Sequence, residues 1–213
     1  DDIAPWNRTT EVCLFQQGEP LLHKDIVEMA RIAGTEKDFF TKMNTNGVLL
    51  TKELGAELIK ARLDYLVFSL DAINPETYKK IKRRPYFERV INNILDYLEV
   101  WGDLDTGDTR NYFACDVVIL EERANREEIP AIKEMLERLP VGHVEVYELF
   151  NYFGAVEEAN SKHPERFTTP RSQWPCCNSP WDVIGVRANG EAVACIYDYD
   201  NRYVVGDVRE QTI

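Results

Sequence analysis

The sequence predicts an α/β fold built on a parallel sheet, and three observations carry that expectation. Five strand-like apolar runs alternate with stretches whose apolar residues recur at helical spacing. Each run closes in a short polar tip, which is the grammar of βα units joined by right-handed crossovers. The tips Gly18-Glu19, Asn44-Thr45-Asn46, Ser69 with Asp71, Glu121-Glu122 and Glu148 all follow their strands, so they should gather on the carboxyl rim, where such folds hold small molecules. An open doubly wound sheet and a partial barrel both satisfy this pattern.

Taken in order, Asp1–Thr10 is short and irregular, with Pro5, Trp6 and Asn7. The first strand, Val12–Phe15, reads as buried and leads to Gly18-Glu19-Pro20. Gly18 has no Cβ and lets backbone approach a ligand, Glu19 offers a carboxylate, and Pro20 fixes the exit without an amide proton. An ordinary βα turn with a solvated Glu19 is the competing reading of this loop. Asp25 is placed to cap a helix with Ile26, Met29, Ala30 and Ala33 inward and Gly34 as its end. A second strand at about Phe39–Met43 closes in Asn44-Thr45-Asn46-Gly47, and Thr51 caps a helix with Leu54, Leu58 and Ile59 on one face.

The third strand, Tyr65–Leu70, precedes Asn74-Pro75-Glu76, an N-cap followed by proline at the first helical position. Phe87, Val90, Ile91, Ile94, Leu95 and Leu98 form the stripe of a longer helix, and Gly102–Asn111 is a polar loop. The fourth strand is Tyr112–Leu120. Helix Glu127–Leu139 turns Ile129, Ile132, Leu136 and Leu139 inward, and Val144–Leu149 is a fifth strand running into Phe150-Asn151-Tyr152-Phe153-Gly154. Ser161–Trp174 is polar and reads as a linker or lid. Beyond it Val183–Val186, Asn189-Gly190 and Ala192–Cys195 spell a β-hairpin, because Asn-Gly supplies the positive φ angles of a tight turn. The expected organisation is an irregular segment 1–10, a first domain 11–159, a linker 160–175 and a small domain 176–213.

A chain of 213 residues with 44% hydrophobic content can bury a full core. Its net charge of -12 argues against a general nucleic-acid or anionic-membrane surface, which needs basic stripes. No apolar run approaches a membrane span and no signal-peptide pattern opens the chain, so the expected location is cytoplasmic. Five cysteines do not resemble a secreted disulfide framework. Cys13 and Cys115 lie in apolar runs and read as buried structural thiols. Cys176, Cys177 and Cys195 cluster among Pro, Trp, Asn and Gly, with Tyr197, Asp198 and Asp200 next to them, and point to metal. They cannot close an iron–sulfur or zinc site alone, so further ligands must come from elsewhere.

These stretches resemble the radical S-adenosylmethionine (SAM) enzymes that carry a C-terminal SPASM or shorter twitch domain. Phe15-Gln16-Gln17-Gly18-Glu19-Pro20-Leu21-Leu22-His23 is similar to the family's GGEPLLHPD loop, with Gln17 where glycine is usual. Asn44-Thr45-Asn46-Gly47-Val48-Leu49-Leu50 resembles its TNGxLL segment and Phe68-Ser69-Leu70-Asp71-Ala72 its SLDG, and Asn125 before Arg126-Glu127-Glu128 also fits. Cys177-Asn178-Ser179-Pro180-Trp181, Asn189-Gly190, Cys195 and Val205-Gly206-Asp207-Val208 look like the opening half of a SPASM motif.

The resemblance implies a partial (β/α)6 TIM-like barrel whose first loop holds a [4Fe–4S] cluster through CxxxCxxC. That motif is not in these residues, and five βα units are one short, so the first unit and its cluster ligands are expected upstream of Asp1. By position, Gly18 and Glu19 would hold the methionyl amino group of SAM, Ser69 its ribose or carboxylate, with Asn46 on the same rim and the backbone around Tyr147 and Glu148 facing adenine. Cys177 and Cys195, with Cys176, would ligate an auxiliary [4Fe–4S] cluster. The implied activity is reductive SAM cleavage to a 5′-deoxyadenosyl radical and hydrogen abstraction from a peptide, first, or a small molecule such as a sugar, second. The implied partners are that substrate and an electron donor such as flavodoxin or ferredoxin, without nucleic acid or membrane. The alternative is a non-catalytic barrel remnant or binding subunit with a metal-bound hairpin domain.

Overall fold

The computed structural model describes residues 10–35, 39–104, 114–149, 170–173, 176–198, 200 and 202–211. The chain divides into two compact units, Trp6–Glu148 and a second made of Asp1–Pro5 with Leu149–Ile213.

In the first unit, strands β1 (Thr10–Cys13), β2 (Phe39–Thr45), β3 (Tyr65–Ser69), β4 (Cys115–Glu121) and β5 (Val141–Glu148) form one parallel sheet in the order β1-β2-β3-β4-β5. Every strand pairs with the next in sequence, so every crossover steps the same way. Right-handed crossovers then put all helices on one face. That is the winding of a barrel; a doubly wound sheet reverses direction at a switch point. The strand order therefore selects the partial barrel from the two folds the sequence allows.

Helices α1 (Ile26–Thr35), α2 (Lys52–Lys60), α3 (Pro75–Lys82), α4 (Phe87–Asp103) and α5 (Ile129–Leu136) follow successive strands, α3 and α4 both between β3 and β4. The core forms between the helices and one sheet face: Met43, Leu66, Phe68, Val117 and Ile119 from strands, with Ala30, Leu58, Ile94, Ile132 and Leu136 from helices. Burial of each large side chain contributes about 1.5–3 kcal/mol. Partners in a parallel ladder share a face, so the registers Cys13↔Lys42, Asn44↔Val67, Ser69↔Val118, Val118↔Glu145 and Leu120↔Tyr147 place these residues on the other face. That second face is largely polar and, apart from buried Val67, part-buried or exposed.

Two caps are where the sequence puts them. The Thr51 side chain accepts the Leu54 amide, Asn74 accepts Thr77 N, and Pro75 opens α3. Five expectations are corrected. The first strand starts earlier, at Thr10, and Glu11 and Cys13 are exposed, because β1 pairs with one strand only among the described residues and Cys13 lies on the polar face. Gly34 does not end α1 but packs it, since a Cβ there would sit 2.8 Å from Ala61 O and 2.9 Å from Arg62 O. Met29 is exposed, and the Asp25 carboxylate pairs with Lys24. The stretches 105–113 and 150–169, including Phe150–Gly154 and most of the expected linker, lie outside the described residues.

The second unit holds a three-stranded antiparallel sheet, β6 (Gly185–Val186), β7 (Glu191–Val193) and β8 (Val204–Asp207), in that order. Gly190, at φ +90°, makes the turn of the expected hairpin. A helical turn, α6 (Ser179–Asp182), precedes it, and β8 is an addition that the sequence reading did not assign to a strand. No helix among the described residues is long and apolar enough to cross a membrane.

Candidate SAM rim and cysteine centre

Glu19 is the hub of the rim. It opens a 3-10 turn at Pro20–Leu22 by accepting the Leu21 amide at 3.1 Å. The same oxygen accepts the Thr45 hydroxyl at 2.7 Å, and the other accepts the Asn46 amide at 2.8 Å. A carboxylate has about four acceptor positions. Three are filled from within the chain, so the Glu19 side chain binds the β1 tip to the β2 tip. Thr45 in turn accepts the Gly47 amide at 3.1 Å, Asn46 Oδ1 accepts Val48 N at 2.9 Å, and Asn93 of α4 donates to Gly47 O at 2.7 Å.

Gly18 is exposed at φ +90°, and nothing lies within 4 Å of where its Cβ would be. The conformation, not crowding, calls for glycine there, and the space a side chain would enter is open. Ser69 ends β3 half-buried on the polar face. Asn44, on the same face, carries a buried Oδ1 that no described donor satisfies, which is a place for a ligand donor such as an ammonium. Sequence reasoning put Asn44 in the tip but gave it no role. Tyr147 and Glu148 end β5, both exposed, and the Tyr147 hydroxyl donates to the Glu145 carboxylate.

Asp71, expected on the open rim, is instead buried and internal. Its Oδ1 accepts the Leu120 amide at 2.7 Å and its Oδ2 meets Lys82 Nζ at 2.5 Å. Fully buried Asn125 donates to Asp71 O and Leu120 O and accepts Glu122 N. Glu128 takes the Ile73 amide, Asn74 Nδ2 and the Thr77 hydroxyl, binding α3 to the start of α5. Beside the rim lies an open cleft of about 270 Å³, which brings Lys82, Arg84 and Tyr86 round from α3 and its exit to Glu19, Leu22 and Asn46. The sequence signal for it was the cationic run starting at Lys79.

In the second unit Cys176 and Cys177 are exposed just before α6, and Cys195 is half-buried two residues past β7. The Asp198 amide donates to Cys195 O at 3.1 Å and closes a turn there. The Asp198 carboxylate is buried and accepts Arg202 N and Tyr203 N, so it braces the loop. The thiols have the donor chemistry of iron–sulfur ligands. No group of three or more His, Cys, Asp or Glu converges among the described residues.

A single-wound half-barrel whose strand tips are laced into a polar rim is a ligand-holding (β/α) scaffold of the barrel class. Residues 2–109 match the Radical SAM superfamily model, and residues 176–213 match an iron-sulfur cluster-binding domain, SPASM. The chain belongs to the radical SAM superfamily. Its cofactors are accordingly SAM and iron–sulfur clusters.

Among curated relatives, the chain is 38% identical over 122 residues to the GTP 3′,8-cyclase of Chlorobaculum tepidum, covering 57% of this chain and 34% of that one. It is 42% identical over 83 residues to a probable GTP 3′,8-cyclase of Methanocaldococcus jannaschii, 39% of this chain and 28% of the relative. The chain thus spans about a third of the length of the curated relatives it matches. Solved structures with the same fold are SuiB of Streptococcus suis, with a TM-score of 0.67 at 14% identity over 96% of this chain and 54% of that one, and anSMEcpe with bound AdoMet and Cp18Cys peptide, with a TM-score of 0.62 at 10% identity over 100% and 68%.

Proposed function

We propose that this chain is the SAM-holding and auxiliary-cluster part of a radical SAM enzyme, with residues 11–159 serving SAM and 176–213 the auxiliary cluster. The observation that carries the reading is the laced rim: Glu19 fixes the β1 and β2 tips while the space beside the Gly18 Cα stays open. Gly18 and the Glu19 main chain would take the methionyl amino group, with Ser69 on the ribose or carboxylate, Asn46 beside them and the main chain of Tyr147 and Glu148 on adenine. Cys177 and Cys195, with Cys176, would supply thiolates to the auxiliary cluster. When bound, SAM would supply the chemistry, its sulfonium C–S bond opening on uptake of one electron to give the carbon radical for hydrogen abstraction. The chain's own work is to orient the sulfonium and keep its ligands on one rigid rim.

A peptide remains the first reading of the substrate. The GTP in the relatives' names supports a small anionic metabolite as the second. The test is 5′-deoxyadenosine formation by the full-length protein, reconstituted without oxygen and supplied with SAM and dithionite. Gly18→Val should weaken SAM binding in an equilibrium titration while folding is kept, and Cys195→Ala should lower bound iron. Unchanged SAM affinity and unchanged iron would leave the non-catalytic scaffold as the reading.

A further inference from the structure

We infer that the stretch from Lys79 to Arg89 is a docking surface for an acidic one-electron donor protein. The inference rests on the reading above, since only reductive SAM cleavage consumes the electron such a donor gives up. The chain has a net charge of -12, yet Lys79, Lys80, Lys82, Arg83, Arg84 and Arg89 fall within this short stretch. Lys82 is held by Asp71. Lys79, Lys80, Arg83 and Arg84 are exposed and make no ion pair with a described residue. Arg83 takes a left-handed φ of 61°, which ends α3 and turns the chain toward Tyr86.

The surface also has an apolar centre. Leu22 is 74% exposed, Leu49 39% and Tyr86 36%, and the Arg89 guanidinium lies 5.4 Å from the Tyr86 ring centroid. All three line or border the cleft that joins Lys82 and Arg84 to Glu19 and Asn46. An apolar centre with exposed Arg84 in its lining and Arg89 beside its tyrosine suits a protein face; a small anion is held by desolvated, converging charge. On an otherwise acidic molecule an acidic donor is repelled elsewhere and attracted here, which selects its orientation. Seated there, it lies against the β1 and β2 tips proposed to hold SAM. A reduced flavin donor passes from anionic hydroquinone to neutral semiquinone by giving up one electron, and that electron is the one that C–S cleavage takes up.

The test uses full-length cluster-loaded protein, reduced flavodoxin as probe, and the double variant Lys80→Glu with Arg89→Glu. Lys60→Glu with Lys133→Glu, exposed cations on α2 and α5, is the charge-matched control. A fluorescence titration should show flavodoxin affinity falling about tenfold or more in the test variant and with added salt, and little change in the control. Flavodoxin-driven 5′-deoxyadenosine formation should fall in step while dithionite-driven formation stays at the wild-type level. Equal flavodoxin affinity in test and wild-type proteins would overturn the proposal. So would an equal fall in the control, or a matching loss with dithionite, which would assign the segment to substrate or fold. Wild-type protein inert with dithionite would overturn the SAM reading instead, and the titration would still decide the surface.

Discussion

Glu19 and Thr45 meet across neighbouring strand tips, the carboxylate accepting the hydroxyl at 2.7 Å while its second oxygen takes the Asn46 amide. Hydrogen bonds to a charged acceptor are each worth about 1.5–3 kcal/mol, and bonds that share one carboxylate sum to less than their separate values. Glu19→Ala removes all three and leaves a half-buried amide and hydroxyl unpaired. We expect it to lower the unfolding free energy by about 2–4 kcal/mol in urea titration, with Glu19→Gln retaining part of that. A loss below about 0.5 kcal/mol would show that the tie contributes nothing.

Gly34 offers a test whose sign runs against intrinsic propensity. Glycine to alanine inside a helix ordinarily gains about 1 kcal/mol. Here the added methyl would meet backbone oxygens of Ala61 and Arg62 at 2.8 and 2.9 Å. Gly34→Ala should therefore destabilise by about 1–3 kcal/mol and lower the melting temperature by several degrees. A raised melting temperature would contradict the packing.

The thiols should differ sharply in reactivity. Burial pushes the Cys115 thiol up to about 12. Desolvation, then the hydrogen bond to the Glu11 carboxylate, pushes Cys13 up to about 12 as well, although the residue is exposed. Thiolate is the reactive form. Iodoacetamide at pH 8, on cluster-free protein read by peptide mass spectrometry, should alkylate exposed Cys176 and Cys177 about a hundredfold or more faster than Cys13 and Cys115. Rapid labelling of Cys13 would break the Glu11 assignment.

In the small unit the Arg209 side chain, and then its amide, hold the Asp207 carboxyl down at about 2. An unfolded aspartate titrates near 3.9. A depressed folded value means that this group's stabilisation is present above about pH 4 and is lost as the pH falls toward 2. Carboxyl carbon shifts followed by NMR should place the Asp207 midpoint near 2, and Arg209→Ala should raise it toward 4.

The fold was legible because its signals are local. Periodicity marked the alternating strands and helices, and Thr51 and Asn74 announced their helix starts within three residues. What stayed hidden depends on distant partners. Nothing near Glu19 says that its carboxylate is taken up by residues 26 and 27 positions away, or that Asp71 turns inward to Leu120. Cys13 read as core because its neighbours are apolar; the register that puts it beside Lys42 on the polar face is not written in VCLF. Strand β8 escaped notice because Val204 and Val205 are both exposed, without the alternation of a half-buried strand. The cations after Lys79 are plain in the sequence, but a net charge of -12 conceals them.

The ties between neighbouring tips bear on binding kinetics. Glu19 joins β1 to β2, Asp71 and Asn125 join β3 to β4, and Glu128 anchors α3 to α5. The loops that meet a ligand are thus ordered when the chain folds rather than when the ligand arrives. Preorganisation of this kind removes most of the entropic cost of association from the binding step. It predicts rapid capture by a rigid mould, with ligand discrimination resting on the shape already present and little on loop closure.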